Sequence, residues 1–272
     1  MKFISITISL IALFTSTSIA QTDVKPPVVP KAVVTPAAPK PPAESIPAPP
    51  TSPKLPAVSE ILDKYMKAAG GREAYAKIKN RVVKGKIELQ PMNLTGTFES
   101  ITASPNRNYS VVNLQGIGEI IEVFDGTTAW TVNPVQGSRT KEGAELLQTK
   151  IQSQFDAEFD IEKTYGKLEF KGIEKVDGRD AYVLSATPAG VPQQSFFFDI
   201  ASGLLVRIDG MSISPEGTMP TNTYIDGRTE VDGLKVPSKL RVVLPQFTFV
   251  STATEIKHNV EIDDAKFTKP NQ

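Results

Sequence analysis

The chain has 272 residues, with 30 Lys+Arg against 30 Asp+Glu, one His, one Trp and no Cys. Balanced charge leaves no cationic face for nucleic acid. The missing cysteines exclude disulfides, thiol nucleophiles, Cys-ligated zinc and iron–sulfur clusters, and a single His excludes a His-rich metal site. The composition therefore calls for no metal and no cofactor. The 22 prolines are unevenly spread, 12 of them between Pro26 and Pro56.

Residues 1–20 read as a cleaved secretory signal peptide. Met1-Lys2 is a short positive start, residues 3–14 are apolar apart from three hydroxyl side chains, and Ser18-Ile19-Ala20 puts small residues before Gln21. The apolar run falls short of the roughly 20 residues a membrane span needs. Gln21 stands where a lipoprotein would carry Cys, so a periplasmic, soluble chain without its own lipid anchor is predicted. Residues 21–57 are Pro- and Ala-rich and contain no aromatic residue, which reads as a disordered linker favouring extended polyproline II. At about 3.1 Å per residue this arm would reach on the order of 110 Å. It serves as a semi-rigid spacer or as a tether toward an envelope protein partner.

Residues 58–272 are predicted to form one mainly β (α+β) domain. Val58, Ile61, Leu62, Tyr65, Met66 and Ala69 make one helical stripe, which Gly70-Gly71 ends; a short second turn follows over residues 72–78. The period then changes to two, with strands expected at residues 82–89, 94–101, 109–114, 117–124 and 127–132. Residues 142–159 return to helical spacing, with Ala144, Leu147, Ile151 and Phe155 on one face. Strands resume over 167–176, 181–186, 194–200, 204–208, 222–230, 234–244 and 247–261. Five Asp-Gly pairs, at Asp125, Asp177, Asp209, Asp226 and Asp232, read as hairpin turns, because Asp-Gly tolerates positive φ. The sum is an antiparallel meander of roughly eleven or twelve strands.

Motifs for chemistry are missing. The sequence holds no G-x-S-x-G, H-E-x-x-H or P-loop pattern. His258 is expected as a solvent-facing strand residue, and the acidic run Asp156, Glu158, Asp160, Glu162 as a solvated helix end. No catalytic residue is assigned and an enzyme is not expected. What stands out is apolar surplus: Phe196-Phe197-Phe198, Leu204-Leu205-Val206, Val242-Val243-Leu244 and Phe247 with Phe249-Val250 are apolar on both faces of a strand. An ordinary sandwich core and a sheet with an apolar ligand cavity under helices both fit this pattern.

Two stretches carry a family resemblance: Ser104-Pro105-Asn106-Arg107-Asn108-Tyr109, and Glu122-Val123-Phe124-Asp125-Gly126-Thr127-Thr128-Ala129-Trp130-Thr131-Val132-Asn133-Pro134. Both resemble the LolA-type periplasmic lipoprotein carriers and their outer-membrane receptor relatives. The ending Asp263-Asp264-Ala265-Lys266-Phe267-Thr268-Lys269-Pro270 is similar too. Gly70-Gly71-Arg72-Glu73-Ala74 and residues 171–182 resemble exported outer membrane lipoprotein-sorting proteins.

The resemblance implies a strongly curved antiparallel half-barrel, unclosed, whose concave face is covered by the N-terminal and mid-chain helices. It also implies a lipid or an acylated lipoprotein as partner. The residues expected to line an apolar cavity, or else to form ordinary core, are Ile61, Leu62, Tyr65, Leu147 and Ile151 on the helices. Val111, Ile121, Trp130, Phe197, Leu205 and Phe249 are their counterparts on the sheet. In that family an Arg directly before the strand-starting Pro latches the helical lid; here Ser104 stands there, and Arg107 is the nearby candidate. A sensor or protein-interaction module on the same fold is the alternative, and an unrecognised hydrolase the second.

Overall fold

Helix α1 (Val58–Ala68) forms where the apolar stripe predicts it, and buries Ile61, Tyr65 and Met66. The Glu60 carboxylate accepts the Ala57 backbone N–H at 2.9 Å, satisfying one donor that the first turn leaves free. The helix ends at Gly70, whose φ of 122° suits glycine, and where an added Cβ would lie 2.2 Å from the Gly233 carbonyl oxygen. The Ala69 carbonyl also accepts the Lys235 N–H at 2.9 Å, so the end of α1 is fastened to the sheet. Short helix α2 (Arg72–Ala76) follows. The computed structural model describes residues 55–157 and 159–270. The predicted signal peptide and nearly all of the predicted linker lie outside these residues.

The strands come in two runs. β1 (Asn80–Gln90), β2 (Leu94–Ala103), β3 (Arg107–Leu114), β4 (Gly118–Phe124), β5 (Ala129–Asn133) and β6 (Gly137–Thr140) form the first. Helices α3 (Gly143–Gln152) and α4 (Ile161–Tyr165) interrupt. The second run is β7 (Glu169–Val176), β8 (Arg179–Ala186), β9 (Gln194–Asp199), β10 (Leu205–Ser214), β11 (Gly217–Val231), β12 (Leu234–Val243) and β13 (Thr248–His258). A 3-10 turn (Asp264–Phe267) closes the described chain.

All 13 described strands belong to one antiparallel sheet, ordered β6-β5-β4-β3-β2-β1-β13-β12-β11-β10-β9-β8-β7. Each run is a meander, and the pairing of β1 with β13 joins them. The sheet is unclosed, with β6 and β7 as its edges, yet it curves strongly. Gln136 in the β5–β6 turn donates to Glu216 in the β10–β11 turn at 3.1 Å. A flat sheet would hold those turns roughly 40 Å apart, at about 4.8 Å per strand. The architecture is the mainly β half-barrel that the sequence predicts, with thirteen strands.

Three of the five Asp-Gly pairs make hairpin turns, and Asp177 and Asp232 take φ of 47° and 50°. The other two correct the expectation: Asp209-Gly210 and Asp226-Gly227 lie inside β10 and β11. Their carboxylates serve ion pairs on the outer face, where Asp209 takes both oxygens to Arg207 and Asp226 to Arg241. Tyr224 lies between those two guanidiniums, 5.2 and 4.0 Å from its ring centroid.

Candidate functional site: the interior of the half-barrel

The interior divides into two unlike halves. Over β8 to β12 it is apolar. Ile61, Tyr65 and Met66 of α1, with Phe155, Phe159, Ile161 and Tyr165, pack on Leu184, Phe196, Phe198, Leu205 and Ile208. The Tyr65 ring meets Phe198 edge-on at 5.4 Å, and Tyr165 meets Phe196 the same way at 5.1 Å. Tyr75 of α2 donates its hydroxyl to the Phe155 carbonyl, tying the two helical segments together. A second apolar cluster, with Ile87, Phe98, Val112, Ile120, Val242 and Phe249, fills the far end of the inner face.

Beneath α3 the interior is polar. Ser100, Ser110, Glu122, Thr131 and Arg139 stand opposite one another across β2 to β6, a row of polar side chains on the inner face. Lys141 and Glu122 form a buried ion pair at 2.5 Å. Arg139 takes both oxygens of Glu145 on α3, at 2.7 and 2.8 Å. Gln148 on α3 donates to the Met211 carbonyl and accepts the Ile213 N–H, at 2.7 and 3.1 Å. Its amide thus stands in for the strand that β10 lacks beyond its pairing with β9.

Helix α3 is therefore turned relative to the predicted face. Glu145 and Gln148 point inward, Ala144 is exposed, and Leu147 and Ile151 are half-buried. The physical reason is the wall it meets: its hydrogen-bonding groups need the polar side chains opposite. The predicted helix over 142–159 also stops at Gln152. Of the acidic run beyond it, Asp156 and Glu162 are exposed and Asp160 half-buried, while the structure gives no account of Glu158.

Where the two halves meet, Arg81 donates its Nε–H to His258 Nε2 at 2.9 Å. His258 Nδ1 lies 2.9 Å from an Asp232 oxygen, so it carries the proton and donates. This corrects the expectation of a solvent-facing His258, whose side chain is 0% exposed. Burial pushes the Arg81 guanidinium down to about 10, against the opposing influence of Tyr75 and Tyr65. Burial likewise pushes the Tyr65 hydroxyl up to about 12, with Arg228 and Arg81 opposing. A crease of about 20 Å³ remains between Arg81, Ser100, Thr102, Val236 and Ile256.

The predicted lining residues are distributed unevenly. Ile61, Leu62, Tyr65, Ile151 and Leu205 share the apolar cluster under α1, and Phe249 lies in the second inner cluster. Leu147 faces the loop at Gly190, where a Cβ would come within 2.7 Å of its methyl. Val111, Ile121 and Trp130 occupy the outer face, because their strand neighbours Val112 and Ile120 point inward and the pleat alternates. Phe197 is also outside, packed with Val183 and Val206. Arg107 pairs with Asp264 at 2.8 Å and lies 4.4 Å from the Phe267 ring centroid, so it holds the C-terminal 3-10 turn.

Sequence reasoning missed the polar wall. The signal was available as Ser100, Ser110, Glu122 and Thr131 at alternate positions, but assigning them to the inside requires knowing the register. The outer face carries an open trough of about 860 Å³ lined by Lys86, Glu88, Thr95, Thr97, Asn113, Gln115 and Thr252. Among the described residues, no helix is long and apolar enough to cross a membrane.

No family model and no curated protein matches the sequence. Solved structures do match the fold. A DUF1329 family protein from Desulfovibrio piger is 17% identical with a TM-score of 0.53, over 78% of this chain and 97% of the other. A LolA superfamily protein from Nitrosomonas europaea is 13% identical with a TM-score of 0.51, over 79% and 99%. An outer membrane lipoprotein-sorting protein domain from Vibrio parahaemolyticus is 11% identical with a TM-score of 0.50, over 76% and 97%. At these identities the likeness is one of fold: the described chain is a LolA-like half-barrel.

Proposed function

From that fold, we propose a non-enzymatic periplasmic carrier that holds a lipid, lipoprotein acyl chains or another apolar ligand between curved sheet and helical lid. The observation that carries this reading is the apolar half of the interior. There α1 and the 155–165 segment lie on the inner face of β8 to β12 almost wholly through hydrophobic side chains. Such a contact is non-directional, so an acyl chain can replace the lid's side chains and return a comparable burial of about 25 cal/mol per Å². Ile61, Leu62, Tyr65, Ile151 and Leu205 are the proposed chain-contacting residues. Export by residues 1–20 and reach through residues 21–57 complete the reading.

Native mass spectrometry of the protein purified from its own periplasm tests it. Co-purifying lipid, and uptake of a fluorescent fatty acid that Leu62→Glu abolishes without lowering Tm, are expected. A protein that arrives empty and takes up no fatty acid is not a carrier. The second reading, an interaction module, is favoured by one observation: Val111 opposite Ile121, with Trp130 on the neighbouring strand, are half-exposed apolar side chains on the outer face. Loss of partner capture in Trp130→Glu with fatty-acid uptake intact would support it.

A further inference from the structure

We infer that the edge of β10 beside α3 is a strand-addition site for an extended peptide, which makes the favoured cargo an acylated polypeptide. The inference rests on the carrier reading and names the class of its cargo.

β9 pairs with β10 only from Leu205 to Asp209, while β11 accompanies β10 on to Ser214. The sequence explains the stop. The chain between β8 and β9 carries Pro188 and Pro192, neither of which has a ladder N–H to give. Continued in register, β9 would set Val191 opposite Ile213, but Val191 gives its N–H to the Pro188 carbonyl at 3.3 Å. Beyond Asp209, no strand among the described residues lies on that edge of β10.

Gln148 of α3 covers the edge instead. It donates to the Met211 carbonyl at 2.7 Å and accepts the Ile213 N–H at 3.1 Å. These two backbone groups flank Ser212 and are a pair that a neighbouring strand bonds. One is a fixed acceptor and the other a fixed donor, so together they set which way the Gln148 amide points. The cover is chemically an amide, and the guest that replaces it bond for bond is a peptide backbone. A strand also reaches the Met211 N–H and the Ile213 carbonyl, which lie on the same edge. Ser212 adds an independent observation. It is 4% exposed, and its Oγ has no hydrogen-bond partner. A Ser or Thr on an added strand would stand directly opposite, with about 5 Å between Cβ atoms, and supply one.

The edge is continuous with the apolar half. Ile208 faces the apolar cluster under α1, and Ser212, on the same strand, shares that face. Roughly 13 Å separates them, at about 3.3 Å per residue. Ile151, about one turn along α3 from Gln148, packs on the same cluster. An acyl chain held at Ile208 therefore leaves the peptide attached to it beside Met211 and Ile213.

The test uses the full chain and three probes, each below its micelle concentration. They are palmitate, an N-palmitoylated pentapeptide of alternating threonine and valine, and the same lipopeptide N-methylated at every residue. Methylation keeps the acyl chain and the side chains and removes the N–H donors. In calorimetric titrations the parent protein should bind the unmethylated lipopeptide about tenfold tighter than the methylated one, the worth of one or two hydrogen bonds. In Gln148→Leu the cover is gone, so the unmethylated lipopeptide should gain about threefold to tenfold more. Palmitate and the methylated lipopeptide should bind as they do to the parent. Equal affinities of the two lipopeptides for the parent would overturn the site, and that comparison needs no variant to fold. No gain in Gln148→Leu, or an equal gain for all three probes, would overturn it as well; in each case bound palmitate leaves the carrier standing. Failure of the parent protein to bind any of the three would overturn the carrier reading itself.

Discussion

The two halves of the interior are built on one sheet by opposite means. Under α1 the contact is apolar and non-directional, with Leu205 and Phe198 packed against Tyr65. Under α3 it is directional: two ion pairs and a side-chain amide that takes the place of a strand. An apolar contact yields to any apolar guest, whereas a polar one yields only to groups that reproduce its hydrogen bonds. Within one half-barrel, the non-directional and the directional contacts therefore belong to different helices.

The largest effect should come from breaking the polar half. Lys141→Met removes the cation paired with the buried Glu122 carboxylate and should cost about 3–5 kcal/mol, read as a fall in the urea midpoint. Replacing both residues, with Glu122→Leu added, should restore most of that loss, because two apolar side chains leave no buried charge. On the apolar side, Leu205→Ala at 1% exposure should cost about 2–5 kcal/mol, depending on how far α1 settles into the gap. Only the polar half should show rescue by a second substitution. An equal response of both halves to single and double changes would erase the distinction drawn here.

The sequence announces one half better than the other. The α1 stripe is legible because 3.6-residue spacing leaves one solution for its inward face. Strand order along each meander is legible from turn residues, yet which pleat face points inward is not. Val111-Val112 and Ile120-Ile121 each place one apolar residue on either side, and only the pairing of Phe98, Val112 and Ile120 decides between them. The orientation of α3 was hidden for the same reason. Its polar face is buried because the wall opposite is polar, and that wall exists only once five strands are in register. Asp209 and Asp226 read as turn residues, since their arginine partners lie two positions and one strand away. His258 read as exposed, because its partners Arg81 and Asp232 are distant in sequence.

A smaller effect sharpens the apolar half. The Tyr65 hydroxyl is buried with no hydrogen-bond partner, so Tyr65→Phe should raise stability by about 1 kcal/mol while keeping the ring contacts. The pH dependence follows from the raised pKa. Below about pH 10 the phenol is protonated in folded and unfolded chains alike, and its contribution to stability is full. As pH rises through 10 toward the folded value of about 12, the unfolded chain ionises first and stability drains away. Denaturant titrations at pH 8 and pH 11 should show that loss, shallower in Tyr65→Phe. It should not vanish, because Tyr75 and Tyr165 are also pushed up by burial.

The smallest effect concerns Arg107, the latch candidate nearest Ser104, which stands where the family resemblance places the latch arginine. Its partner Asp264 is 81% exposed, and a pair open to water contributes about 0.2–1 kcal/mol. Arg107→Ala should therefore lower stability by no more than that, loosen the C-terminal 3-10 turn, and leave fatty-acid uptake unchanged. Arg139→Ala should behave differently. It frees the buried Glu145 carboxylate that holds α3 down, so α3 opens more readily and the half-barrel admits ligand faster. Stopped-flow uptake of a fluorescent fatty acid by the two variants decides the matter. Faster entry in Arg139→Ala alone places the fastening on α3, whereas faster entry in Arg107→Ala would return it to the strand start that the sequence motif marks.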